Sequence, residues 1–283
     1  MNLALIVFIY PETLISFSNL SGFQIKNSLI TLLTDFGPNS FQTVRSRAWL
    51  TRHCAQQNIF DVSHDIHPND INEAAYVFTL VQDQFQDKTV HIIAIDFDKR
   101  IAHQEIILFE YNNQFILTYN SGLATILLGE DSNDIKVVGT YDGQHIESVV
   151  DCFGPLAKQL VDGQLSDQKP MLPDQLHIKT PLHPVTTEKM LHGHVVYFDS
   201  RETCYTNISK QVFDQFVSGG SFDIILSRHE RISKITSELR SYEGGGTYCY
   251  FNTSGMLTIS VYRGSAKRMY GLKRGQTIMI EKR

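Results

Sequence analysis

The sequence has few cysteines and no paired cysteine motif. Its 283 residues include only four cysteines, and none forms a C-x-x-C pair: Cys54, Cys152, Cys204 and Cys249. Zinc-ribbon and thioredoxin-like sites therefore lack their usual signature. Isolated buried thiols in a reducing cytosol account better for these residues, so we expect a cytoplasmic protein without a bound metal.

Basic runs and long apolar runs are missing as well. The formal net charge is −5 and no Lys/Arg stripe occurs, so we expect neither nucleic-acid nor membrane partners. The apolar run at residues 1–9 is too short to span a bilayer, and no Lys or Arg precedes Lys26, so a signal peptide is not indicated. We expect residues 1–27 to be an N-terminal extension, although a start codon placed too early would explain them equally well.

The first half of the chain alternates between strand-like and helix-like segments. Short β-branched apolar runs predict buried strands, and Asn112-Asn113 predicts a hairpin turn. Helices are predicted at Arg45–Gln56 and Asp70–Gln86, and another begins at Phe153. Asp70 and Glu73 have the spacing of a capping box. This alternation predicts an α/β domain with a largely parallel sheet over residues 28–168.

Composition changes after residue 168. Residues 168–184 hold four of the eight prolines, so we expect a linker at 169–187. Several short strands with glycine turns follow, which predicts a smaller, all-β, barrel-like domain over residues 188–283. No G-x-G-x-x-G turn follows a strand, so a Rossmann methyltransferase is not indicated.

Six segments together resemble one known family, in order and with nearly the family's spacing. They are TLLTDFG (31–37), FDVSHDIHPNDINEAAY (60–76), VHIIAID (90–96), DCFGPLAKQL (151–160), GHVVYFDSRETCYTNIS (193–209) and YFNTSGMLTISVYRGSAKRMYGLKRGQ (250–276). They are similar to motifs of the S-adenosyl-methionine (SAM) hydrolases, also called SAM hydroxide adenosyltransferases, and of the related fluorinases and chlorinases.

This resemblance implies a homotrimer that splits SAM at ribose C5′, with sites between one subunit's first domain and its neighbour's second domain. SAM is then the substrate, and no cofactor is expected. Methionine thioether is a good leaving group, so positioning and desolvation can supply much of the rate. In hydrolytic relatives an Asp, an Arg and a His orient the attacking water.

The resemblance assigns the catalytic positions to Asp96, His103 and Ser148. Asp96 matches the family's Asp, His103 stands where Arg is usual, and Ser148 replaces the His. Histidine can still donate a hydrogen bond near neutral pH. Asp96 also suits a plain turn at a strand end, and His103 suits an ordinary surface position.

The resemblance also assigns substrate-binding positions. Asp35 matches the residue that grips both ribose hydroxyls, and Asp199 matches the one that binds the methionine amino group. The remaining positions are Ser40 (often Asp), Asn120 and Ser121 (from a D-N-G turn), Thr203 (usually Asn), Tyr205 (aromatic in halogenases), Thr253 and Ser254 (near the methionine carboxylate), and Val261 and Arg263 (flanking the adenine edge). Turn capping by Asp35 and a simple β-turn at 252–255 are the competing structural interpretations.

Three functions follow from these residues. The first is hydrolysis of SAM to adenosine and methionine. The second is binding of SAM or adenosine without turnover, because the set that orients water is altered. A halogenase ranks below both, since the loop after Asp96 lacks the Thr-rich character of the fluorinating relatives and their extra insertion is missing.

Overall fold

The computed structural model describes residues 28–95, 104–129, 134–141, 149–227, 230–236 and 246–283. These residues form two β-sheets, the first with a buried apolar core on each face and the second with a core of its own. No helix among them is long and apolar enough to cross a membrane. The domain limits of 28–168 and 188–283 stay a prediction.

The first sheet has seven strands in the order β2-β1-β3-β5-β4-β6-β7. They are β1 Leu29–Thr34, β2 Asn58–Ser63, β3 Val90–Ala94, β4 Gln104–Tyr111, β5 Gln114–Tyr119, β6 Lys136–Tyr141 and β7 Lys169–Pro170. Strands β2, β1, β3 and β5 are parallel, whereas β4, β6 and β7 pair antiparallel, so the sheet is mixed rather than largely parallel.

The antiparallel half of this sheet follows from a tight turn. Asn112 and Asn113 both take left-handed backbone conformations, with φ of 50° and 62°, and join β4 directly to β5. A two-residue connection can only reverse the chain, and asparagine tolerates positive φ better than most residues. The hairpin predicted at these two residues is therefore confirmed.

Four helices cover both faces of the first sheet. They are α1 Phe41–His53, α2 Ile71–Thr79, α3 Leu123–Leu128 and α4 Gly154–Val161, the last preceded by a π-helical turn, Val149–Phe153. Helices α1 and α4 pack on one face with Leu32, and α2 and α3 pack on the other with Leu33. Successive residues of β1 thus enter different cores, which explains why its sequence is continuously apolar.

Helix α2 is shorter than the predicted Asp70–Gln86. It ends at Thr79, and the chain continues through a 3-10 turn at Gln82–Gln84. The side-chain amide of Gln114 donates to the carbonyls of Gln82 and Phe85 at 3.0 and 2.8 Å. The Gln82 carbonyl also accepts from Phe85 N at 3.2 Å, so the turn after α2 is closed by its own backbone and held against β5 by Gln114.

The second sheet is antiparallel and nearly closed, with strand order β12-β11-β15-β9-β10-β14-β13 and β8 on β9. Its strands are β8 Val185–Thr186, β9 Met190–Phe198, β10 Cys204–Ser209, β11 Phe222–Ile225, β12 Arg231–Ile232, β13 Thr247–Phe251, β14 Met256–Val261 and β15 Thr277–Lys282; its helices are α5 Lys210–Val217 and α6 Ala266–Tyr270. A bridge between Ile235 and Cys249 brings its two ends together. The barrel-like expectation is confirmed at this level.

Polar contacts join the domains within one chain. Arg274, in the turn before β15, pairs with Glu73 on α2. The Ser254 hydroxyl donates to the Leu80 carbonyl at 3.2 Å. These contacts seat the second domain against the end of the first sheet that carries α2.

Candidate functional site

Asp35 lies in the loop that follows β1, at the carboxyl edge of the parallel strands. Its side chain is half-buried, and its Oδ2 accepts a hydrogen bond from Asn69 N at 2.9 Å. Gly37 N donates to His64 O at 2.8 Å, so the loops after β1 and β2 are held together. Ligands of open α/β sheets bind at this edge, which makes Asp35 well placed for the ribose contact that the sequence predicted.

A polar network lies directly beneath Asp35. The Nδ1 atom of buried His64 is 2.8 Å from Thr34 Oγ1, and its Nε2 is 3.3 Å from Asp61 Oδ1. Asp61 in turn pairs with Arg47 on α1. Because Thr34 immediately precedes Asp35, this network fixes the end of the strand from which the carboxylate projects. The sequence motif contained His64, but its role as a support came only from the structure.

Ser40 serves as the N-cap of α1. Its hydroxyl accepts from Gln42 N at 3.1 Å, and the helix begins at the next residue. The helix predicted at Arg45–Gln56 therefore starts four residues earlier and ends at His53. This cap accounts for Ser40 structurally and places it in the same loop as Asp35.

Asn120 holds the proline-rich segment against the first domain. Its amide donates to Glu105 Oε2 at 3.0 Å and to Gln175 O at 2.9 Å, and its Oδ1 accepts from His177 N at 2.9 Å. Ser121 is buried beside it, with its hydroxyl 3.4 Å from Tyr119 O. All the polar atoms of the Asn120 side chain are thus engaged by the protein itself.

Asp199 organises the hairpin between β9 and β10. Its Oδ1 accepts from the backbone N–H of Arg201 and of Thr203, both at 2.9 Å, and its Oδ2 accepts from the Tyr205 hydroxyl at 3.3 Å. Among the described residues, no lysine or arginine lies within ion-pair distance of this half-buried carboxylate. The three donors to this carboxylate are all neutral, which leaves room for a hydrogen bond from an external cation.

Aromatic rings surround this carboxylate. The Tyr197 and Tyr205 ring centroids are 5.4 Å apart. Burial, followed by the charge of Asp199, raises the pKa of Tyr205 well above its usual range, so its hydroxyl stays a donor. Burial also raises the pKa of Tyr197, and the neighbouring charges of Asp199, Glu73 and Asp65 add to the effect. Tyr197 is also partly buried against the core formed by α2 and α3 of the first domain.

Thr253 and Ser254 form the tip of the turn between β13 and β14. Asn252 Oδ1 accepts from Ser254 N and Met256 N at 3.0 and 2.9 Å, and Gly255 has φ of 72°. The β-turn interpretation therefore holds for these residues. Both side chains are exposed at the turn, and the Ser254 hydroxyl contacts the first domain as described above.

Val261 is the last residue of β14, and Arg263 lies in the turn that follows this strand. Val261 pairs with Thr247 of β13. Arg263 has a left-handed φ of 51°, and its guanidinium lies 5.4 Å from the centroid of the Tyr262 ring. Arg263 is exposed, whereas Val261 is partly buried and packs against the core of the barrel-like domain.

The three predicted catalytic residues, Asp96, His103 and Ser148, lie outside the described residues. The described residues bring together Asp35 with the loop after β2, and Asp199 with Thr203 and Tyr205. The positions at Asn120, Thr253 and Val261 belong to separate turns.

Sequence reasoning missed Glu73 and Arg274. Glu73 was interpreted as half of a capping box, and Asp70 does cap α2 by accepting from Glu73 N at 3.0 Å. The Glu73 carboxylate, however, accepts from His67 N at 3.0 Å and from Arg274. Its partner is 201 residues away in the chain, so no local signal could have found this pair.

Comparisons with known proteins agree on the family and the fold. Residues 30–169 match the model of the SAM hydroxide adenosyltransferase N-terminal domain, and residues 193–279 match that of its C-terminal domain. A protein of Methanocaldococcus jannaschii described as (R)-S-adenosyl-L-methionine hydrolase is 25% identical over 261 residues, which cover 85% of this chain and 91% of that protein.

Two solved structures share the fold at low sequence identity. An uncharacterized conserved protein from Thermotoga maritima has a TM-score of 0.76 with 20% identity and covers 89% of this chain. A conserved hypothetical protein from Thermus thermophilus has a TM-score of 0.65 with 20% identity and covers 90%. Both of those chains are matched over their whole length.

Proposed function

Because this chain belongs to the SAM hydroxide adenosyltransferase family, we propose that it hydrolyses SAM to adenosine and methionine. The oxygen of water forms a bond to ribose C5′ while the C5′–S bond breaks. The electron pair of that bond goes to sulfur, which leaves as neutral thioether, and the water loses a proton to solvent. The observation that carries the proposal is that both family domains match. The carboxylates Asp35 and Asp199 stand at two of the positions that the resemblance assigns to substrate binding.

Each carboxylate suits a different part of SAM. Asp35, at the carboxyl edge of the parallel strands, would accept hydrogen bonds from both ribose hydroxyls, and such bonds to a charged acceptor are strong. Asp199 would receive the methionine ammonium group, since its hairpin supplies only neutral donors to it. The nearby Tyr197 and Tyr205 rings add faces that favour a cation.

The polar groups nearest the water are proposed to be Asp96 and His103. In this proposal Asp96 orients the water, and His103 supplies a donor where relatives have arginine. Ser148, in place of the family's histidine, weakens one orienting contact. A lost preorganised donor costs roughly 10²–10³ in rate in other enzymes, so we expect hydrolysis to be slow.

The experiment is incubation with SAM followed by chromatography for adenosine and methionine, run separately with each epimer at the sulfonium because the archaeal relative is named for the (R) form. We expect adenosine above the uncatalysed background, and we expect Asp96→Ala to abolish it while nearly preserving adenosine binding. The exposed linker variant Asp174→Ala is the matched control and should keep full activity.

Binding without turnover is the second candidate, and the changes at His103 and Ser148 favour it. It replaces the enzyme proposal if wild-type protein forms no adenosine above background but is stabilised by SAM in thermal melts. Asp35→Ala should then lose a large part of that stabilisation, because hydrogen bonds to a charged group contribute about 1.5–3 kcal/mol each. Unchanged affinity in this variant would remove Asp35 from the site.

We also propose that the protein is a homotrimer with its sites between subunits. A cyclic trimer closes a heterologous contact between one subunit's first domain and the next subunit's second domain. The exposed apolar side chains of Phe41 and Val44, close to Asp35 in sequence, suit such a covered surface. Light scattering at micromolar concentration should give three times the mass of one chain, and a monomer mass would contradict this assembly.

A further inference from the structure

Arg274 is presented by a rigid turn of the second domain. Gly275 N donates to Val195 O at 2.8 Å, and Lys273 N donates to the Gln276 side chain at 3.0 Å. Gly275 has φ of 71°, which the tight turn requires. The backbone that carries Arg274 is therefore held at a defined place relative to β9.

The guanidinium reaches a buried carboxylate of the first domain. Arg274 Nη1 donates to Glu73 Oε2, and the Glu73 side chain is only 3% exposed. Burial raises the pKa of Glu73, whereas the His67 N–H and the Arg274 charge lower it. Arg274 thus helps to keep a nearly inaccessible carboxylate in its charged form.

That carboxylate anchors the loop that fixes Asp35. The same Oε2 atom accepts from His67 N at 3.0 Å. Two residues later, Asn69 N donates to Asp35 Oδ2 at 2.9 Å, and Asn69 has a left-handed φ of 63°. The backbone of this short loop therefore bridges two carboxylates, one supported by Arg274 and the other at the proposed ribose position.

We propose that Arg274 is a positioning residue that sets the orientation of Asp35 through Glu73 and the loop at residues 67–69. The proposal rests on the ribose-binding role of Asp35 given above. Without the guanidinium, Glu73 is a buried charge without a cation, and it either takes up a proton or turns towards water. His67 N then loses a charged acceptor, and the Asn69 N–H that orients Asp35 is no longer fixed.

The test separates positioning from stability by comparing two nucleosides. Calorimetry measures the affinities of adenosine and of 2′,3′-dideoxyadenosine, which lacks both hydroxyls that Asp35 would hold. Wild-type protein should prefer adenosine, and Asp35→Ala should bind the two nearly equally. Arg274→Met should reduce the preference by about tenfold, the equivalent of one hydrogen bond to a charged group.

A double variant keeps the test decisive if Arg274→Met fails to fold. Replacing both members of a buried ion pair by apolar side chains is often neutral or stabilising, so Glu73→Leu with Arg274→Met should fold. It still removes the acceptor of His67 N, and we expect the same loss of preference without a fall in melting temperature. The neighbouring exposed residue provides the matched control, Lys273→Met, which should behave as wild type.

Three results would overturn the inference or its premise. A wild-type preference for adenosine in the folded double variant would remove Arg274 and Glu73 from the positioning of Asp35. An equal loss of affinity for both nucleosides would indicate a purely structural role. A wild-type protein that binds neither nucleoside, or both equally, would refute the ribose-binding role of Asp35 and the proposed function on which this inference depends.

Discussion

The histidine in the middle of β3 makes stability depend on pH. His91 is fully buried, with Nδ1 at 2.7 Å from Thr31 Oγ1 and Nε2 at 3.1 Å from Gln114 Oε1. The rings of Phe78 and Phe85 pack edge-on against it. These neighbours are all uncharged, so nothing among them compensates a proton on the imidazole.

Burial lowers the pKa of His91 from 6.5 to about 4, and its hydrogen bond to Gln114 offsets only part of the effect. The unfolded chain therefore binds a proton at higher pH than the folded protein does. The stabilising contribution is complete above about pH 6.5 and is lost as the pH falls towards 4. A shift of about 2.5 pKa units at about 1.4 kcal/mol each corresponds to a loss of roughly 3 kcal/mol in the free energy of unfolding.

The assay is urea denaturation of wild type and His91→Gln between about pH 7 and pH 4.5. The variant keeps a polar group in the strand but cannot titrate, so its free energy of unfolding should fall by about 2 kcal/mol less than that of wild type over this range. Replacing exposed His183 with Gln is the control and should leave the wild-type dependence unchanged. Equal pH dependence in wild type and His91→Gln would refute the reasoning.

Three further predictions concern the second domain, the linker and the substrate. Gly193→Ala should lower the free energy of unfolding by about 1–3 kcal/mol in denaturant melts, because a Cβ at this position overlaps the Ile208 side chain. A smaller change would contradict this overlap and would mean that β10 shifts to make room. Asn120→Ala should speed limited proteolysis within residues 171–184, because it loses the two hydrogen bonds to Gln175 O and from His177 N. An unchanged cleavage rate would contradict its anchoring role. Asp199→Asn keeps an oxygen that accepts from the hairpin N–H groups but loses the negative charge. Calorimetry should therefore show about tenfold weaker binding of SAM and an unchanged affinity for adenosine. An equal loss of affinity for both ligands would disprove the ammonium contact.

The sequence predicted those elements whose causes are local. The Asn112-Asn113 hairpin and the Asp70 cap are where the residue types place them. Strand periodicity, turn residues and caps act over a few positions, so a single chain contains the information. The resemblance likewise identified the family, because its motifs lie at the ends of strands that the pattern had already located.

Contacts between distant residues decided the rest. Gln114, on β5, holds the turn that follows α2, and Arg274 pairs with the Glu73 carboxylate that was expected to cap its own helix. The Asn112-Asn113 turn makes β4 and β5 antiparallel, but the antiparallel pairing of β6 with β4 and of β7 with β6 has no local signal in their sequences. Composition and spacing thus determined the strands, the turns and the placement of Asp35 at a strand end. Only the tertiary structure decided which groups contact Asp35 and Glu73. The hydrogen bonds from Asn69 N and from Arg274 span 34 and 201 positions of the chain, and contacts of this kind depend on packing and leave no periodic signal in the sequence.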